Sequence, residues 1–118
     1  MAKKVLIIDD DPSIVSYLQD ILQDAGYATA VATNGLEAMD KLESEKPDLI
    51  TLDIEMPEMS GPKFNRALTK DGKAKGVPII VVTGHMGLKY TIPNAVAEFD
   101  KPFDKDVLVG KVREIIGK

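Results

Sequence analysis

Residues 5–13 read VLIIDDDPS. Four apolar residues, Val5 to Ile8, run into three consecutive carboxylates, Asp9, Asp10 and Asp11, and then into Pro12. An apolar run without alternation suits a strand buried on both faces, as in a parallel sheet. After it, Ile14, Val15, Leu18, Ile21, Leu22 and Ala25 share one face of a helix, with Asp11 as N-cap, Pro12 in its first turn and Gly26 after its end. Three adjacent carboxylates repel one another, so their crowding at a strand end asks for a positive charge that gathers them.

The same punctuation recurs downstream. Leu49 to Leu52, with Thr51 inside it, ends at Asp53, and Ile79 to Val82 ends at Thr83. Tyr27 to Ala32 reads as a second strand, and Leu36 to Ser44, carrying Met39 and Leu42, as a second helix closed by Pro47. Phe64, Ala67 and Leu68 suggest a third helix ending near Gly72. The segment AEFDKPF predicts a short fifth strand that delivers Lys101, and a last helix from Asp104 keeps Val107, Leu108, Val112, Ile115 and Ile116 inward. Strands alternating with helices argue for an α/β fold, a parallel sheet with helices on both faces, because each parallel connection needs a crossover. Ligands of such sheets bind beyond the carboxyl ends of the strands. Asp9, Asp10, Asp53, Thr83 and Lys101 should therefore meet at one rim.

Composition narrows what that rim can be. The 118 residues, 44% of them hydrophobic, are one domain's worth of chain, taken as a single domain over 1–118. No run of about eighteen apolar residues could span a membrane, and the start MAKK leads into an apolar run too short for a signal peptide, so a cytoplasmic location is expected. The absence of cysteine excludes a thiolate metal site, and a single histidine argues against a histidine-built zinc site, so any metal would be held by oxygen. Nineteen acidic against fifteen basic residues, without a basic stripe, argue against direct nucleic-acid binding.

A hard cation such as Mg²⁺ takes oxygen ligands and keeps several waters, so two carboxylates, a backbone carbonyl and waters make a plausible shell. Asp10 and Asp53 are the expected direct ligands, with Asp9 behind them. Aspartate can also attack phosphorus, and phosphoryl transfer needs its charge neutralised, which a metal, Lys101 and Thr83 could do for Asp53. Taken singly, each residue has a plainer reading: a turn and helix cap for Asp9 to Asp11, a loop carboxylate for Asp53, a turn residue for Thr83, a solvated charge for Lys101. Their joint placement at strand ends favours chemistry.

VLIIDDD, LITLDIEMPEMSG, PIIVVTG and KPF together resemble the receiver domain of bacterial two-component response regulators, of the chemotaxis-regulator kind, over essentially the whole chain. The resemblance implies a flavodoxin-like doubly wound sheet of five strands in the order 2-1-3-4-5. It makes Asp53 the phosphate acceptor, Asp10 and Asp53 side-chain Mg²⁺ ligands, Asp9 their helper, and Glu55 the source of a backbone carbonyl. Thr83 and Lys101 would contact the phosphoryl group, and Lys101-Pro102 falls where a cis peptide is usual. A sensor histidine kinase or phosphotransfer protein would be the donor, and a downstream protein the reader of the switched surface. The chain would be a stand-alone receiver or one domain of a longer regulator, not a turnover enzyme.

Two departures from the family stand out. Between Thr83 and Lys101 the chain is several residues short and holds Gly84, Gly87 and Pro93, so the fourth helix is expected short, displaced or missing, and that region more mobile than its neighbours. Only Pro93 to Phe99 looks able to form a helical turn or two. The family's switch aromatic falls at Glu98 here, one step before Phe99, so either a bulge restores Phe99 or the aromatic partner of Thr83 is absent. Two other readings stay open. One is a haloacid-dehalogenase-like phosphatase with Asp9 as nucleophile and Asp11 as general acid, which leaves DIEMPEMSG unexplained. The other is a receiver-shaped interaction module that is never phosphorylated.

Overall fold

Five strands, β1 (Lys4–Ile8), β2 (Ala28–Ala32), β3 (Leu49–Leu52), β4 (Ile79–Thr83) and β5 (Ala95–Asp100), form one parallel sheet in the order β2-β1-β3-β4-β5. The computed structural model describes residues 2–53, 77–83, 95–100 and 103–117, except for the side chains of Thr83 and Asp100. Among these residues the helices are α1 (Pro12–Asp24), α2 (Gly35–Glu45) and α3 (Lys105–Ile116). None is long and apolar enough to cross a membrane. The expected helix at Phe64 to Leu68, the fourth-helix region, Glu55 and the Lys101-Pro102 peptide lie outside the described residues.

The uninterrupted apolar runs behave as parallel strands should, because both faces are covered. On one face Leu6, Ile8, Ile50, Leu52, Ile79 and Val81 pack against Ala38 and Leu42 of α2. On the other, Val5, Ile7, Leu49, Ile80 and Val82 meet Leu18, Ile21 and Leu22 of α1 and Leu108 and Val112 of α3. Val107 was expected inward and is instead exposed. Leu108 and Val112 lie four residues apart on the buried stripe of α3, and Val107 sits about 100° round the helix from Leu108.

Helix ends follow their capping residues. Asp11 accepts a hydrogen bond from the Ser13 amide at 3.0 Å, and Asn34 accepts one from the Glu37 amide at 2.8 Å. After α1, Gly26 takes φ 97°, and the Tyr27 amide donates back to the Leu22 carbonyl, closing the helix as only a left-handed residue allows. At the far end of the sheet, Lys4 donates to Glu45 at 2.7 Å. That hydrogen bond, then the charges of Lys4 and Lys41, hold Glu45 below the ordinary carboxylate range. A depressed carboxyl contributes above its unfolded pKa and loses that contribution as pH falls through the folded one; at this partly exposed site, screened by solvent, the effect is small.

The stretch 95–99, read above as a possible helical turn, is strand. Alanine and glutamate favour helix, but pairing with the apolar edge of β4 decides the matter, as tertiary context commonly does for short segments. Ile79 pairs with Ala95 and Ile80 with Ala97, so the register slips by one residue at Val96. Below the slip Ala97 and Phe99 face the α1 and α3 side, where both pack against the core. Glu98 points to the opposite face, opposite Val81. The bulge therefore lies upstream of Glu98 and does not bring Phe99 onto Glu98's face.

Candidate functional site

The carboxyl end of the sheet collects the acidic residues through backbone pairing. The Asp9 amide donates to the Ala32 carbonyl at 3.1 Å and the Asp53 amide to the Ile8 carbonyl at 2.9 Å. Each carboxylate is thus fixed one residue beyond its strand by the last rungs of the ladder. Asp9 and Asp53 are almost fully buried, whereas Asp10 is exposed. Carboxylate oxygens of Asp9, Asp10 and Asp53 lie within 4.8 Å of one another. Such a set is all oxygen and partly preformed, which fits a hard divalent cation. Two buried members surrounded by apolar strands make the local dielectric low, so a cation there would be bound more strongly than by carboxylates in open water.

Asp11, the third residue of DDD, serves a different purpose. Its Oδ1 accepts from both the amide and the hydroxyl of Ser13, at 3.0 and 2.8 Å, while its own amide donates to Asp9 Oδ1 at 2.9 Å. It caps α1 and ties the turn to Asp9, which leaves its carboxylate committed to the helix and not to acid catalysis. Asp11→Ala is therefore expected to cost about 1 kcal/mol of stability and to leave Mg²⁺ affinity within about twofold, a change of under half a kcal/mol. Urea unfolding and Mg²⁺ titration of the same variant check both halves. An affinity loss as large as that of an Asp10 variant would place Asp11 among the candidate metal ligands.

Of the other expected site residues, Thr83 is the last residue of β4, opposite Asp100 at the same rim. Lys101 follows β5 directly in the chain and, with Glu55, lies outside the described residues. One contact was not anticipated: the ring of Phe103, from KPF, packs beside that of Tyr17 on α1, with centroids 5.7 Å apart and a tilt of 38°. It ties the start of α3 to α1 next to the rim, and spacing along the chain could not reveal it because the two rings are far apart in sequence.

The family model of the response regulator receiver domain matches residues 5–114. Protein Rrf1 of Nitratidesulfovibrio vulgaris is 35% identical over 112 residues, covering 95% of this chain and 81% of Rrf1. The polar-differentiation response regulator DivK of Brucella anthropi is 37% identical over 83 residues, 70% of this chain and 68% of DivK. Among solved structures, the Vibrio cholerae chemotaxis protein CheY4 superposes with a TM-score of 0.90 at 31% identity, covering 98% of this chain and 99% of CheY4.

Proposed function

The chain belongs to the response regulator receiver family of two-component systems, and on that premise we propose that Asp53 accepts a phosphoryl group in an Mg²⁺-dependent step. The observation that carries this reading is the convergence of Asp9, Asp10 and Asp53 at the strand ends, with Asp53 buried at the end of the central strand. The donor is a phosphohistidine of a sensor histidine kinase or phosphotransfer protein. A carboxylate oxygen of Asp53 attacks its phosphorus, an O–P bond forms as the N–P bond breaks, and the imidazole leaves with the electron pair.

Asp9, Asp10 and Asp53, with the Glu55 backbone carbonyl, would hold the Mg²⁺, which supplies charge neutralisation for the phosphoryl oxygens. Without a counter-charge, three carboxylates would repel a dianionic donor. Thr83 and Lys101 are read as the groups that contact the transferred phosphoryl. Their chain positions, the end of β4 and the residue after β5, support that reading. Phe99 is not assigned the role of switch aromatic, because it packs toward the core beside α1 and α3. The protein, read as one receiver domain over 1–118, loses its phosphoryl group slowly to water and turns over no external substrate.

Intact-mass analysis after exposure to acetyl phosphate and Mg²⁺ tests the proposal. Wild type is expected to gain one phosphoryl group, and Asp53→Asn none. Labelling that persists in Asp53→Asn, or that is undiminished in EDTA, refutes it.

A further inference from the structure

β5 is an outer strand of the sheet, and its sequence, AVAEFD, is two-thirds apolar. A strand of this kind at an open edge is a template for pairing with another chain. Two features of β5 work against such pairing. Val96 sits at the register slip, with Ala95 and Ala97 taking the adjacent partners on β4, and is half-exposed. Glu98 occupies the outer end of the cross-strand row Ala32, Ile8, Leu52 and Val81, whose other members are all buried and apolar. Its Oε2 is buried and has no hydrogen-bond partner among the described residues.

The buried oxygen of that carboxylate weakens the monomer, since it loses its hydration and meets no donor among the described residues in return. A valine there would continue the row. We propose that Glu98, with the bulge at Val96, guards the β5 edge against pairing with a second copy of this chain. A copy added along β5 would cover the partly exposed carboxyl of Glu98, and a two-fold antiparallel pairing would bring the two glutamates toward each other. β2, the other outer strand, reads ATAVA, and its three alanines make it a weaker template that needs no charge. The inference rests on the sheet edge and is independent of phosphorylation at Asp53.

Sedimentation velocity over a wide concentration range, paired with thermal unfolding, tests it on wild type, Glu98→Val, Glu98→Gln and the double variant Glu98→Val with Val96→Lys. Glu98→Val is expected to unfold at a higher temperature than wild type when dilute and to self-associate roughly tenfold or more tightly. Glu98→Gln, which keeps the shape and removes the charge, should fall between. Adding Val96→Lys should return the double variant to wild-type sedimentation, because it puts a charge back on the same edge. Wild-type sedimentation of Glu98→Val, a loss of its stability, or association that survives Val96→Lys would each overturn the proposal.

Discussion

Asp10→Asn is expected to weaken Mg²⁺ binding by at least about tenfold and, at the same time, to stabilise the metal-free protein. Both effects come from one arrangement, the carboxylate oxygens of Asp9, Asp10 and Asp53 within 4.8 Å of each other. Two unit charges about 4 Å apart repel by about 1 kcal/mol in bulk water and by more where burial lowers the dielectric. Asp10 is the exposed member, and removing its charge while keeping its shape relieves two such repulsions, for a gain on the order of 1 kcal/mol. On the proposed function, the Mg²⁺ that the same charge would attract loses a ligand. Thermal unfolding with and without Mg²⁺ reads both: the metal-free variant should melt higher than wild type, and its rise on adding Mg²⁺ should shrink. An Mg²⁺-dependent rise equal to that of wild type would remove Asp10 from the site. Added salt offers a further check, since screening should raise the metal-free wild type more than the variant.

Much of this site was readable along the chain because parallel strands announce their own ends. Val5 to Ile8 and Leu49 to Leu52 are buried on both faces, with Thr51 the one polar side chain inside them, so each run stops where the first charged side chain appears, and in a doubly wound sheet those stops share a rim. That is why Asp9 and Asp53 could be brought together without any contact information. The separation of roles within DDD was also foreseeable, since Asp11 precedes Pro12 and a helical period, the signature of a cap.

The region around β5 was harder, for a physical reason. Ala95 to Phe99 contains residues that suit a helix as well as a strand, and only the exposed edge of β4 selects between them. Which face Phe99 takes depends on a single extra residue, because a one-residue slip exchanges the two faces of a strand. The slip at Val96 is a property of the pairing between β4 and β5, and nothing in the order of Ala95, Val96 and Ala97 marks it. Val107 is a smaller case of the same kind: an apolar residue beside a buried stripe is settled by the helix's rotation against the sheet. Placement at strand ends is robust to such rotations and slips, whereas placement on a face is not.

Leu52→Ala should separate the stability of the fold from the geometry of the site. Leu52 is fully buried, sits between Ile8 and Val81 on the α2 side, and immediately precedes Asp53. Truncating a leucine in such a position removes its transfer free energy and leaves a cavity that neighbouring strands cannot close, a loss of about 2–5 kcal/mol. Against a domain stability of about 5–15 kcal/mol, that is a large fraction of the total. In urea the midpoint should fall with an unchanged slope, since the surface exposed on unfolding stays nearly the same. Asp53, by contrast, is held by the backbone bond from its amide to the Ile8 carbonyl, which the truncation leaves in place. Mg²⁺ affinity measured well below the melting temperature should therefore change by less than about threefold, under 1 kcal/mol. Saturating Mg²⁺ should then restore part of the lost stability by mass action, about 2.7 kcal/mol at one hundred times the dissociation constant. A stability loss below about 1 kcal/mol would mean that the row from Ala32 to Glu98 is loosely packed at its centre. A tenfold loss of Mg²⁺ affinity would mean that side-chain packing on the α2 face, not the strand ladder, sets the position of Asp53.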